Sequence, residues 1–193
     1  MSLLSGKEFE NQTFTKIVWV GKDLKHKSFS HTTFENCDLT QSNLTGSKFL
    51  ECKMQSCNLS LVKFDGSRLQ DLEFQNCKFV GVNFGKCDPM FLSVKFINCL
   101  IDTSNYSDLD LKGTPFLNCM IRDTQFVNTN LSKSDFSGSD LRGSTFHNSN
   151  LTQANFISAI NYSINPLTNQ LKSARFSKPE VLSLLDHLGI IIE

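Results

Sequence analysis

Residues Ser134–Ser158 read SDFSG SDLRG STFHN SNLTQ ANFIS when broken into fives. Each block opens on a small residue, continues with a polar one, and places a large apolar residue third. The first and third positions point one way and the second the other, as an extended chain requires. The last two positions, Ile157 excepted, are polar or Gly and turn the chain. A period of five fits neither a helix at 3.6 residues nor a continuous strand at 2.0. The pattern predicts a very short extended segment followed by a corner, repeated many times.

The frame extends outward from this stretch. Phe9, Phe14, Phe29, Phe34, Phe49, Phe64, Phe74, Phe79 and Phe84 lie on one frame of five. Phe91, Phe96, Phe116, Phe126, Phe136, Phe146, Phe156 and Phe176 lie on a second, two residues out of step, so that all 17 phenylalanines obey the rule. Leu24, Leu39, Leu44, Met54, Leu59, Leu69, Ile101, Leu111, Ile121, Leu131, Leu141 and Leu151 fill gaps in the two frames. This is an internal repeat, and its period decides the architecture.

A second period rides on the first. FENCDL at Phe34–Leu39 returns as FQNCKF at Phe74, FINCLI at Phe96 and FLNCMI at Phe116. Four pentads make 20 residues, so successive coils place the same letters on the same side. Cys37, Cys57, Cys77, Cys99 and Cys119 form one predicted ladder, and Phe34, Phe74, Phe96, Phe116, Phe136 and Phe156 form a column on the neighbouring side. The chain is expected to coil as a square tube with one pentad per side.

On these motifs the chain resembles the pentapeptide-repeat proteins, whose pattern is A-(D/N)-L-x-x, from about Lys7 to Asn161. The resemblance implies an all-β solenoid, a right-handed quadrilateral β-helix, to which the residues add a short C-terminal α-helix. Residues 1–161 are read as the β-helix, with an irregular, capping first coil and a two-residue insertion near residues 85–90. Residues 162–193 are read as a terminal coil, helix and apolar strand. Trp19 is expected to pack, and Lys22 and Lys27 stand where the inner slot calls for small residues.

The cysteine ladder invites a metal or redox reading. Zinc needs four convergent ligands at characteristic spacings, and side chains one strand apart, ~4.8 Å, exceed the Cβ separation of ~3.5–4.5 Å that a disulfide needs. Packing is the reading adopted, since buried Cys behaves as a small hydrophobe. No metal and no cofactor are expected.

Composition excludes further classes. Lys+Arg and Asp+Glu both number 19, so no global charge points to nucleic acid or a membrane surface. There is no run of 18 apolar residues and no basic-then-apolar leader, so neither a membrane span nor a signal peptide is expected, and the chain is placed in the cytoplasm. His26, His31, His147 and His187 are scattered, and no nucleophile elbow, phosphate loop or metal motif is present. The chain is therefore not expected to be an enzyme. The seven Asn-x-Ser/Thr triplets are by-products of a repeat rich in those residues.

Ser177 and Glu180 suggest a capping box, Pro179 the first helical turn and Gly189 the stop. Val181, Leu182, Leu184, Leu185 and Leu188 make an apolar stripe, and Ile190, Ile191 and Ile192 follow as an apolar strand. This exceeds what a lid needs, and a homodimer through these residues is expected. LSLLDHLGIII also resembles the C-terminal segment of the Qnr-type quinolone-resistance proteins. That resemblance implies a dimeric rod that mimics DNA and binds DNA gyrase or topoisomerase IV. Asp102, Asp108, Asp110, Asp123, Asp135 and Asp140 form a candidate acidic contact zone, with Lys112, Arg122, Lys133 and Arg142 interspersed. The second reading is a rod-shaped scaffold for another protein. A continuous acidic stripe would favour the first reading and mixed charge the second.

Overall fold

In a computed structural model, residues 6–190 are described, and they wind into a β-solenoid of about eight coils. Each face is a column of parallel pairings one coil apart. Face one runs Phe14, Phe34, Met54, Phe74, Phe96 and Phe116 in direct register, and ends with Phe156 paired to Phe176. Face two carries Phe79, Ile101 and Ile121, and face three carries Phe126, Phe146 and Ile164. Face four carries Phe9, Phe29, Phe49, Leu69 and Leu92.

The third pentad position fills the bore, where rings stack along each column. Phe96, Phe116 and Phe136 lie 5.0 and 4.9 Å apart at their centroids with nearly parallel planes. Rings on adjacent faces meet edge to face, as Phe116 does with Phe126 at 5.8 Å and 87°. Both are favourable aromatic geometries. The cores of these columns are buried, from Leu24 to Ile164.

The second position decides the corner. Where it is Asp or Asn, the side chain accepts from the N–H two residues on: Asp38 from Thr40 at 3.0 Å, Asn58 from Ser60 at 3.1 Å, Asp135 from Ser137 at 2.9 Å. This Asx turn replaces a strand hydrogen bond with a local one. At Thr33, Ser28 and Lys48, where no such side chain is available, three residues extend as a strand. The fifth position takes the left-handed conformation, at φ 54° in Asn36 and 65° in Gly46, which explains its wealth of Asn and Gly.

The first coil is in register with the second over Glu8–Glu10 and Thr13–Thr15. Its departure from the repeat lies in its inner-slot lysines. Lys22 is exposed, and the Lys27 ammonium bonds Gly6 C=O at 2.7 Å. Trp19 packs in the bore, its ring 5.2 Å from Phe14.

Three sequence expectations change at the insertion and the tail. Phe91 leaves the bore, and Leu92 takes its place opposite Leu69, because the 3-10 turn Pro89–Phe91 swings Phe91 outward. The C-terminal helix, Glu180–Leu188, is wound as a 3-10 helix rather than an α-helix. The capping box is not formed: Ser177 Oγ accepts from Ser158 N–H at 3.0 Å, and the helix start has no side-chain cap. Gly189 ends it in the left-handed conformation at φ 64°, as the sequence suggests.

Candidate functional site

The small inner slot is a clamp between coils. Ser139 Oγ donates to Phe116 C=O at 2.6 Å and accepts from Cys119 N–H at 2.9 Å, so one hydroxyl serves the coil below twice. Ser47, Ser67, Ser134, Ser144 and Ser149 donate to bore-residue carbonyls in the same way. The cysteines are the sulfur version of this device. Cys37 Sγ donates to Phe14 C=O at 3.2 Å and Cys77 Sγ to Met54 C=O at 3.3 Å, while Cys37 N–H donates to Cys57 Sγ at 3.4 Å. All seven cysteines are free and buried. Neighbouring thiols and burial raise Cys77 and Cys119 above the usual thiol range, and burial raises Cys52. Burial, with the carboxylates of Asp65 and Asp88, pushes Cys87 up to about 12. Cys57 and Cys99, each hydrogen-bonded by two neighbouring thiols, are held below the usual thiol range, but a reactive cysteine needs exposure as well as a lowered value, and all seven are buried.

With the bore filled, the outer faces carry the solvent-exposed side chains, and the coiling decides which of them share a face. The six aspartates of the acidic zone are not brought together. Asp102 and Asp140 lie on face two, Asp110 on face four and Asp135 on face one, while Asp108 and Asp123 occupy corners. Four are partnered by asparagine from the next coil: Asp108 by Asn128 at 3.1 Å, Asp110 by Asn130 and Asp135 by Asn155 at 2.9 Å, and Asp140 by Asn161 at 2.7 Å. Elsewhere opposite charges alternate up the rod. Glu73 sits between Lys53 at 3.5 Å and Lys95 at 3.2 Å. Its carboxyl is held below the usual range: burial opposes this, and the two ammonium groups prevail.

The insertion breaks the sequence frame and is pinned from below. Arg68 Nε bonds Asp88 Oδ2 at 3.2 Å, and its guanidinium lies 4.4 Å from the Phe91 ring centroid. Asp88 Oδ1 accepts from Met90 N–H at 3.1 Å, which closes the turn and leaves Met90 81% exposed. The sequence reading missed this arginine, whose only signal is its position 20 residues before Asp88.

The terminal helix lies on the last coil. Ser183 Oγ donates to Tyr162 C=O at 3.1 Å, His187 Nε2 is 3.1 Å from Ser163 Oγ, and Leu184 packs against the core. Three residues per turn bring Leu182, Leu185 and Leu188 above one another. Leu182 and Leu188 are exposed, as is Ile190, whereas Val181 and Leu185 are half-buried. Ile191 and Ile192 lie outside the described residues.

The pentapeptide repeat region model matches residues 27–89 and 90–159, its two matches meeting within the insertion. No curated protein matches the chain. Two solved structures of QnrB1, a plasmid-mediated fluoroquinolone resistance protein, are similar in their trypsin-treated forms. One is 20% identical over 99% of this chain and 92% of that chain with a TM-score of 0.73. The other is 17% identical over 94% of this chain and 99% of that chain with a TM-score of 0.75. At this identity the likeness is one of fold.

Proposed function

The chain belongs to the pentapeptide-repeat family, and from that premise we propose that it is a non-catalytic rod that binds another protein through its outer faces. The observation that carries this reading is the filled bore: the stacked columns leave no interior for a substrate. Chemistry presented to the outside is all the molecule offers. The specific partner proposed is a bacterial type II topoisomerase, DNA gyrase or topoisomerase IV, met in the cytoplasm by a homodimer. Support comes from the Qnr-like sequence of the terminal segment, Val181 to Ile192, and from a rod matching that of a fluoroquinolone resistance protein along nearly its whole length. The exposed Leu182, Leu188 and Ile190 would join the two copies.

The dispersal of the six aspartates favours a second reading, a scaffold for a different partner. A duplex mimic should present negative charge at a density near one per ~1.7 Å; here the aspartates face different directions and are interleaved with lysine and arginine. One assay separates the two. Gyrase supercoiling is measured with rising amounts of the protein, with and without a quinolone. Inhibition, or supercoiling restored in drug, supports topoisomerase recognition. No effect at tens of micromolar rejects it and leaves the scaffold.

A further inference from the structure

Inter-coil pairing on face four fails at one place. Between the coil that carries the insertion and the next, the N–H and C=O of Asp110 and the C=O of Lys112 have no hydrogen-bond partner among the described residues. One coil further on, the equivalent groups are all used. Asn130 N–H donates to Leu109 C=O at 2.9 Å, Asn130 C=O accepts from Leu111 N–H at 2.8 Å, and Ser132 C=O accepts from Gly113 N–H at 2.8 Å. The cause is the pinned turn. Arg68 holds Asp88 and Phe91 toward the coil below, so residues 88–91 turn away from the coil above.

A concavity of about 660 Å³ opens in this seam, lined by Asp71, Glu73, Ser93, Lys95, Asp110 and Lys112, with Met90 on its rim. Its backbone groups are strong, obligatory hydrogen-bonding groups, and an unpaired strand edge is a template for another strand. Its charge selects the guest. Glu73 is compensated by two lysines. Asp71 accepts only from Ser93 Oγ at 2.8 Å, and Asp110 only from Asn130 and the Lys112 N–H. Neither has a cation within ion-pair distance among the described residues.

We propose that this seam docks an extended segment of a partner protein, which adds to the Asp110–Lys112 edge as a strand. The segment presents a lysine or arginine to Asp71 and Asp110 and an apolar side chain to Met90. This rests on the reading of the chain as a protein-binding rod and is independent of whether the partner is a topoisomerase, so a failed supercoiling assay leaves it standing.

The test uses two fluorescent heptapeptides, TVKVKVT and TVEVEVT, in anisotropy titrations against the full chain, with amide exchange read residue by residue. The expected result is saturable binding of the lysine peptide, at least tenfold weaker binding of the glutamate peptide, and slowed exchange at Asp110 when the lysine peptide is bound. Asp71→Asn with Asp110→Asn should weaken the lysine peptide about tenfold. Deleting Pro89 and Met90 restores the 20-residue step; it should close the seam, slow exchange at Asp110 in the free protein and abolish binding. If the deletion variant does not fold, the double asparagine variant decides. Equal binding of both peptides, protection elsewhere than the seam, or peptide binding that survives closure would overturn the proposal. So would a seam filled by a second copy, seen as self-association that the deletion removes.

Discussion

Phe116 and Phe136 stack one coil apart with ring centroids 4.9 Å apart and an interplanar angle of 0°. Phe116 also stacks on Phe96 below at 5.0 Å, so its ring is enclosed on both sides. Phe116→Ala should leave a cavity that the neighbouring coils cannot close, costing about 3–5 kcal/mol. Because each coil touches only its neighbours, the loss should lower the unfolding midpoint and broaden the transition. An unchanged thermal melt would contradict this.

Tyr106 occupies a bore position between Phe84 at 4.6 Å and Phe126 at 5.3 Å, yet its hydroxyl is buried with no partner among the described residues. An unmet buried hydroxyl costs ~1–3 kcal/mol. Tyr106→Phe keeps the ring and removes that cost, so it should raise stability by about 1–2 kcal/mol in urea unfolding. A destabilised variant would show that the hydroxyl has a partner, such as a bound water.

Cys87 carries its proton to about pH 12 in the folded chain, against an ordinary thiol value of 9.0. In the unfolded chain the thiol ionises first as pH rises, so the folded state then binds more protons and stability falls. The contribution is complete below about pH 9 and is lost between there and pH 12. Urea midpoints should decline over this window, and Cys87→Ala should flatten the decline. In the native state at neutral pH, a thiol reagent should label the seven buried cysteines slowly; fast labelling of most of them would reject the packing role.

Leu182 and Leu188 are 49% and 44% exposed on the terminal helix, whereas Leu184 packs inward. If the proposed homodimer forms through this face, Leu182→Asp with Leu188→Asp should convert it to monomer in sedimentation while leaving the melt of the rod in place. Leu184→Asp should lower the melting midpoint as well, because it removes the contact between lid and core. A protein that sediments as a monomer before any substitution would reject the dimer.

The acidic zone shows why a contiguous sequence feature need not be a surface feature. Asp102 to Asp140 spans about two coils, and every five residues turn the chain through one corner. Charges close in sequence are therefore distributed around the rod, and charges 20 apart are brought together, as Glu73 and Lys53 are at 3.5 Å. The tail gives a similar lesson. Its apolar residues are plain in the sequence, but α and 3-10 winding distribute them to different sides, and contact with the last coil decides between them.

The sequence by itself determined the five-residue corner, the 20-residue coil and the bore columns, because a short strand alternating in and out leaves each position only one side to face. It also determined that the cysteines pack, since they share the small slot with serine. Only the tertiary structure decided that Leu92 and not Phe91 enters the bore and that the ladder opens at Asp110. The physical reason is common to both. A regular period fixes what each coil would do alone, but an insertion is accommodated by whichever neighbouring coil holds it more strongly, and here Arg68 in the coil below holds it through Asp88 and Phe91.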